Sequence, residues 1–214
     1  EREESQVSLI SEIAKQAAHA LARHVAEDIL LTGLLVANCN TITAVGASAW
    51  GMDDLYKIAE EMDKDDMPAN GRWIVMSASA YYATLGSLTN LANASYNISP
   101  GITNASFQEQ LAGFDIYTYN GLEALTDGAA NGWDILAGYG GSLATVSRLP
   151  EYSDAGMRVG DIANATEPSS GLSLQLRRKY DVMEAQETYA LTVMYGKTAV
   201  NDGTDKRLFK QKIT

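Results

Sequence analysis

The residues that most readily carry chemistry in this chain are two histidines, His19 and His24, which lie five positions apart. On a helix that spacing turns the two side chains toward different faces. A general base also needs a partner within hydrogen-bonding reach. No serine, cysteine or acid stands beside either histidine in an obvious relay, so we predict neither a catalytic nor a metal-binding role for them.

A second candidate is the glycine-rich run Gly138-Tyr-Gly-Gly-Ser142, which follows an apolar segment as phosphate-binding loops do. It lacks both the Lys-Ser/Thr ending of such loops and a third spaced glycine. We therefore predict a tight turn. A small α+β enzyme with Ser142 or Asp134 in a pocket is an alternative interpretation, although the base and orienting group that a nucleophile requires are missing.

Acidic side chains are concentrated in one short stretch that offers oxygen ligands for a cation. Its members are Asp53, Asp54, Glu60, Glu61, Asp63, Asp65 and Asp66. The stretch lacks the Asp-x-Asp-x-Asp-Gly order of a calcium loop, so we predict a solvated helix face. The chain also has no Gly-x-Ser-x-Gly, His-Glu-x-x-His or Cys-x-x-Cys motif. The sequence thus predicts no enzyme, with no catalytic, cofactor-binding or metal-binding residue.

Composition favours a globular protein, because 46% of the 214 residues are hydrophobic and only 20% are charged. The net charge of -11 repels phosphate backbones and disfavours sequence-specific nucleic-acid binding. Cys39 is the only cysteine and is predicted to be a small buried apolar residue. The apolar runs are too short to span a membrane. The chain begins at Glu1 without a signal-peptide pattern, and we expect it to start inside a longer gene product.

Hydrophobic periodicity predicts one long amphipathic helix from Ser5 to about Leu31, stopped near Gly33. A second helix is predicted from Trp50 or Met52, and Asp53 and Asp54 at its start favour the helix dipole. A strand at 72–76, a helix from Ser77 through Leu85 and a surface loop at 87–110 come next. Further predicted elements are strands at 114–118, 133–137, 142–146 and 172–180, a loop at 149–170, and a closing pair at 189–200 and 207–213 around the Asn201-Asp-Gly203 turn.

Several segments resemble a known family in their order as well as their residues. They are Met52 to Asp63 followed by Gly71-Arg-Trp-Ile-Val-Met-Ser77 and Tyr81 to Leu85, then Leu111-Ala-Gly-Phe-Asp-Ile-Tyr117, Trp133 to Gly138 followed by Ser142, and Ser173 to Val200. This order resembles the C-terminal two thirds of tailed-bacteriophage major capsid proteins, which have the Hong Kong 97-type fold. The resemblance extends over nearly the whole chain.

The resemblance implies an α+β fold with a long spine helix. It places a peripheral domain at 1–48, an axial domain at 49–190 and return strands of the peripheral domain at 191–214. It also implies that Trp133 to Gly138 is a strand that ends in its glycine and that a short helix follows near Ser142. The N-terminal arm and hairpin loop of the family are absent from this sequence, which gives no support for chain cross-linking.

By the same resemblance, the partners are copies of the chain itself in pentamers and hexamers, with scaffolding, portal and decoration proteins as further partners. The assembled shell encloses DNA without sequence-specific binding and without a membrane. The protein is then a virion component assembled in the host cytoplasm. An encapsulin-like nanocompartment shell that encloses a cargo enzyme is an alternative with the same fold.

Basic residues form two local groups, Arg177, Arg178 and Lys179, and Lys206, Arg207, Lys210 and Lys212. One interpretation is a solvated strand edge. The other is ion pairing with acidic segments of a neighbouring subunit, such as Glu1 to Glu4 or Asp63 to Asp66. We take Arg177, Arg178 and Lys179 as the predicted intersubunit contact.

Overall fold

A computed structural model describes residues 2–47, 49–92, 110–126, 132–149, 162–166, 171–181, 186–200 and 206–214. Helices span Arg2–Leu34 (α1), Met52–Lys64 (α2) and Ala78–Ala92 (α3), with a single 3-10 turn at Leu122–Ala124 among those residues. The strands are Asn40–Thr41 (β1), Arg72–Met76 (β2), Gln110–Leu111 (β3), Phe114–Thr118 (β4), Ile135–Tyr139 (β5), Leu143–Arg148 (β6), Ile162–Thr166 (β7), Ser173–Asp181 (β8), Gln186–Ala199 (β9) and Leu208–Gln211 (β10).

The chain divides into two compact units, one formed by Glu1–Ala26 and Thr145–Lys197 and the other by Glu27–Ala144 and Thr198–Thr214. We call them the first and the second unit. Their bounds differ from those of the predicted domains. Because the domain names refer to positions within a shell, the peripheral and axial assignment stays a prediction.

The second unit is built on a mixed six-stranded sheet in the order β1-β10-β5-β2-β4-β3. Strands β1 and β10 are parallel, as are β2 and β4, whereas β5 runs antiparallel to both β10 and β2. The strand that is last in sequence therefore lies inside the sheet, with a partner on each side.

Strands β2 and β5 send alternate side chains to opposite faces, as the two-residue period of a strand requires. Ile74 and Ile135 join one apolar cluster with the helix residues Leu55, Ile58 and Met62. Leu136 and the end of α1 form a second cluster. Its buried members are Leu34, Cys39, Leu122, Trp133, Leu136 and Leu208. The sheet is thus covered by α2 and α3 on one face and by the end of α1 on the other.

The first unit carries a four-stranded sheet in the order β6-β9-β8-β7. Strand β8 is antiparallel to both β7 and β9, with Leu176 opposite Ala163 on one side and Leu191 on the other. All five residues of β7 are exposed, and the burial of side chains in this unit is much lower than in the second.

The structure confirms the long first helix, the second helix and the strands predicted at 72–76, 114–118 and 172–180. Cys39 is buried, with 1% of its surface exposed, as predicted. The turn at Gly140-Gly141 is also confirmed, because the Ser142 amide donates to the Tyr139 carbonyl oxygen at 3.0 Å. No helix in the described parts of the chain is both long and apolar enough to cross a membrane.

Several boundaries were wrong. Helix α3 continues to Ala92, so the start of the predicted 87–110 loop is helical, while 93–109 lies outside the described residues. Strand β5 begins at Ile135 and includes Gly138, because its pairing with β2 and β10 extends that far. Strand β6 confirms the strand predicted at 142–146 and contradicts the short helix that the resemblance implied after Ser142. Strand β7 lies within the predicted 149–170 loop.

The predicted closing pair of strands is also wrong, because the two strands belong to different sheets. Strand β9 pairs with β8, whereas β10 pairs with β1 and β5. The Asn201-Asp-Gly203 turn lies outside the described residues.

Candidate assembly surface

The predicted contact residues Arg177, Arg178 and Lys179 follow one another on β8 of the first unit. The Arg177 Nε donates to the Gln175 side-chain oxygen at 2.6 Å, and the Gln175 Nε2 donates to Asn164 Oδ1 at 3.1 Å. This chain of hydrogen bonds fixes the Arg177 guanidinium against its own sheet. Arg178, one position along, is exposed.

Within the described residues, strand β8 pairs with β7 as far as Arg177, which lies opposite Ile162. Beyond that point β8 continues through Arg178 to Asp181 and pairs with β9 alone among the described residues. The basic run therefore lies in the part of β8 that pairs with β9.

Apolar side chains share the face of this sheet that carries Arg178. Leu174 lies opposite Val193, and Leu176 lies opposite Leu191, so the four residues point to the same side. Leu176 is 37% exposed, while Ser173 and Gln175 on the other face are buried. The alternation of residue types in β8 did not predict that the polar face would be the buried one. An apolar face left half-exposed within one chain is typical of an interaction surface.

The acidic stretch on α2 is solvated, as predicted, with one exception. The side chains of Glu60 and Glu61 are 63% and 46% exposed, and both pair with Lys64. These contacts raise the pKa of Lys64, first through the hydrogen bond to Glu61 and then through the one to Glu60. The exception is Asp54, which is buried, accepts a hydrogen bond from the Gly51 amide and so caps the start of α2.

The Asp63 side chain is 68% exposed, and its Oδ1 accepts a 2.6 Å hydrogen bond from the buried Arg72 guanidinium. Arg72 also donates to the carbonyl oxygens of Met67 and Pro68 just beyond α2. Arginine is suited to this role since its donors form a rigid fork. Arg72 therefore holds the turn between α2 and β2, a role for which the local sequence contains no signal.

The second basic group is not a solvated strand edge, and this part of the prediction was wrong. Lys210 is 1% exposed, and its Nζ donates to the Leu34 carbonyl oxygen at 2.8 Å and lies 4.2 Å from the centre of the Trp133 ring. The Lys206 Nζ donates to the Val36 carbonyl oxygen at 2.6 Å. Arg207 donates to the Tyr139 hydroxyl at 2.6 Å.

Lys210 binds the last carbonyl group of α1 and Lys206 binds the turn that follows it, while the last turn of α1 itself contains no basic residue. The final carbonyl groups of a helix lack intrahelical partners and carry partial negative charge. Lys210 and Lys206 supply cations there from the far end of the sequence, together with the Cys39 thiol, which donates to Leu34 and Leu35. Only the tertiary fold brings these groups together.

Residues considered for catalysis have structural partners instead. The two carboxylate oxygens of Asp134 accept hydrogen bonds from the Ser77 hydroxyl at 3.1 Å and the Ile213 amide at 2.8 Å. The Ser142 hydroxyl donates to the Tyr139 carbonyl oxygen. His19 and His24 are exposed on α1. Within the described residues, no three His, Cys, Asp or Glu side chains come together as metal ligands would.

Comparison with known proteins gives a result at the level of structure alone. No protein-family model and no curated protein sequence matches the chain. A solved structure from Mycobacterium phage Che8 matches 93% of this chain with a TM-score of 0.59 and 20% identity. The capsid structure of the cyanophage P-SCSP1u matches 95% with a TM-score of 0.61 and 16% identity. The chain has the fold of phage capsid proteins.

A third similar structure, the asymmetric unit of the bacteriophage PhiM1 mature capsid, matches 95% of this chain with a TM-score of 0.54 and 14% identity. The likeness therefore extends over both units, and it confirms the predicted resemblance to phage capsid proteins and the mixed helix-and-sheet class. This chain spans 61%, 65% and 64% of the length of the three chains, in the order given.

Proposed function

We propose that this chain is the major capsid protein of a tailed bacteriophage and that its function is structural rather than catalytic. The observation that carries this proposal is the capsid fold over more than nine tenths of the chain. The half-exposed apolar face of the first unit supports it, since a subunit of a shell must leave apolar surface for its neighbours.

In this proposal, copies of the chain assemble into pentamers and hexamers of an icosahedral shell, with a peripheral and an axial domain and with α1 as the spine helix. Scaffolding, portal and decoration proteins are further partners. Assembly takes place in the host cytoplasm and yields the virion shell. The net charge of -11 suits an inner surface that contains DNA without binding it tightly.

The test is to express the protein from its gene and follow it by size-exclusion chromatography and electron microscopy. Megadalton particles with icosahedral symmetry are the expected result. A stable monomer or dimer under all salt and concentration conditions would count decisively against a shell function.

Arg177, Arg178 and Lys179 are proposed as a contact between subunits, paired with carboxylates of a neighbour. Exposed pairs contribute under about 1 kcal/mol each, yet repeated over every subunit they set the register of assembly. The test reverses all three charges and follows particle formation against salt concentration. We expect slower assembly and a changed salt dependence, and unchanged kinetics would remove these residues from the interface.

A further inference from the structure

The dipeptide Asn-Gly occurs at three places in the chain, Asn70-Gly71, Asn120-Gly121 and Asn131-Gly132. Asn131 lies outside the described residues, so the comparison concerns the first two. Asparagine is a thermolabile residue, because the amide nitrogen of the next residue can attack its side-chain carbonyl carbon. A following glycine favours that attack, since it has no Cβ to hinder the approach and takes up many backbone conformations.

Asn70 and Gly71 lie in the turn between α2 and β2, where the backbone is accessible. Both residues are exposed, as are Pro68 and Ala69 before them. Gly71 has a φ of +75°, in the left-handed region. The Gly71 amide and the Asn70 side chain have no hydrogen-bond partner in the described parts of the chain. No described hydrogen bond therefore opposes rotation of the Asn70 carboxamide toward the Gly71 nitrogen.

The surroundings of Gly71 also leave room for ring closure. A Cβ built at Gly71 would have the Gly140 backbone nitrogen as its nearest neighbour outside the adjoining residues, at 4.0 Å. The turn is anchored on both sides of the reacting groups. Arg72 donates to the Met67 carbonyl oxygen, and the Gly71 carbonyl oxygen accepts from the Gly140 amide at 2.8 Å. The peptide bond between Asn70 and Gly71 lies between these anchors.

The same dipeptide at Asn120-Gly121 has the opposite environment. Gly121 is buried, with a φ of -80° and a ψ of -7°, and the 3-10 turn begins directly after it at Leu122. A Cβ at Gly121 would lie 2.5 Å from a ring carbon of Tyr119. That ring is fixed, because the Tyr119 hydroxyl donates to the Glu27 carboxylate at 2.7 Å. Approach of the Asn120 carboxamide to the Gly121 nitrogen requires this packing to open.

We propose that Asn70 is a site of spontaneous covalent modification, at which the folded protein converts asparagine to isoaspartate and aspartate through a succinimide. Hydroxide removes the proton of the Gly71 amide, and the nitrogen then forms a bond to the Asn70 Cγ. The Cγ–Nδ2 bond breaks as Nδ2 takes up a proton and leaves as ammonia. Water opens the ring at either carbonyl carbon. Opening at Cγ gives aspartate in an ordinary backbone, and opening at the α-carbonyl gives isoaspartate, joined to Gly71 through its side chain.

Both products change the turn that Arg72 holds, and neither depends on the proposed shell function. Each adds a negative charge close to Asp65 and Asp66, which precede the turn in sequence. Isoaspartate also lengthens the main chain by a methylene group between the two anchors. Aspartate therefore changes charge alone, whereas isoaspartate changes the backbone as well.

Incubation of the purified wild-type chain in heavy-oxygen water at mildly alkaline pH tests the site. A succinimide that opens during the incubation takes up the heavy isotope, and peptide mapping by mass spectrometry assigns the conversion to each asparagine. We expect Asn70 to convert on the order of tenfold faster than Asn120, a difference of about 1.4 kcal/mol in activation free energy. In urea the two sites should convert at similar rates, because the folded state alone distinguishes them. Asn70→Gln is the matched control and should remove the signal, since the longer side chain must close a larger ring.

Equal rates at Asn70 and Asn120 in the folded chain would overturn the proposal. Slow conversion at both sites in the folded chain with fast conversion at both in urea would also overturn it, since the turn would then protect Asn70.

A thermal unfolding measurement separates the two products. The chromatographic fraction with isoaspartate at position 70 should unfold at a lower temperature than the variant Asn70→Asp, which has the added charge in an ordinary backbone. Equal unfolding midpoints would overturn the inferred disturbance of the turn by the lengthened main chain.

Discussion

The two basic segments of this chain have similar composition and opposite structural roles. Lys206, Arg207 and Lys210 face their own subunit, where they contact the end of α1 and the ring and hydroxyl of Tyr139. Arg178 lies exposed on strand β8 of the first unit. Charge and local pattern did not distinguish these segments.

The difference follows from the position of each strand in its sheet. Strand β10 lies between β1 and β5, with helices covering both faces, so its side chains enter apolar clusters on either side. A lysine there must find partners for its ammonium, because a buried charge without them is very unfavourable. Strand β8 belongs to a sheet with an exposed face, and Arg178 on that strand remains at the surface.

The largest expected effect is at Lys210. Lys210→Ala removes a buried stem, the hydrogen bond to Leu34 and the contact with the Trp133 ring. We expect a loss of about 2–4 kcal/mol in the free energy of unfolding. Lys210→Met keeps the apolar stem, so its loss should be about half as large. Urea denaturation of the unassembled subunit measures both.

Lys15→Ala, on an exposed part of α1, is the matched control for that series and should change the unfolding free energy by under about 0.5 kcal/mol. Equal effects of Lys210→Ala and Lys15→Ala would contradict the distinction between an internal and a surface cation.

A pair of glycines sharpens the contrast in packing between the two units. A Cβ at Gly138 would lie 2.6 Å from the Ser142 Oγ and 2.7 Å from a Leu208 methyl group, whereas a Cβ at Gly196 has nothing within 4 Å. Gly138→Ala should therefore destabilise the subunit by about 1–3 kcal/mol. Gly196→Ala, in strand β9, should stabilise it by about 0.5 kcal/mol. Thermal unfolding of both variants checks the opposite signs.

The sequence predicted the elements whose pattern is local. Leu55, Ile58 and Met62 are buried on α2 as their spacing indicated, and Arg72 to Met76 form the expected strand. Predictions that required knowledge of strand partners were wrong. Gly138 reads as a turn residue, yet it pairs with Trp73 and Leu208 in the sheet, and their side chains leave no room for a Cβ there.

The candidate surface was predicted only in outline. The basic run on β8 is visible in the sequence, but a groove between α2 and β1 is not, since it combines Glu60 and Glu61 with Thr41 and Gln211 from distant parts of the chain. The buried role of Lys210 has no local signal either. Its partner, Leu34, lies 176 positions away.

At the surface, Arg178→Ala should leave the stability of the isolated subunit within about 0.5 kcal/mol of wild type. The same substitution should weaken assembly, and the loss should shrink as salt is raised because exposed charges are screened. Light scattering at several salt concentrations follows assembly, and urea denaturation follows stability. A large loss of subunit stability would assign Arg178 to the internal class of cations.

The smallest expected effect concerns Lys64, a surface cation paired within its own helix. Hydrogen bonds to Glu61 and then to Glu60 raise its pKa above the ordinary value of 10.5. A raised pKa in the folded state means that the ion pairs stabilise the subunit fully below pH 10.5, and that this contribution disappears as the pH rises through the folded-state pKa. The side chain is exposed, so solvent and salt weaken the interaction.

Titration of the Lys64 Cε carbon signal by NMR should show the raised pKa, and Glu60→Gln with Glu61→Gln should lower it. An unchanged pKa in the double variant would mean that these glutamates do not hold the ammonium.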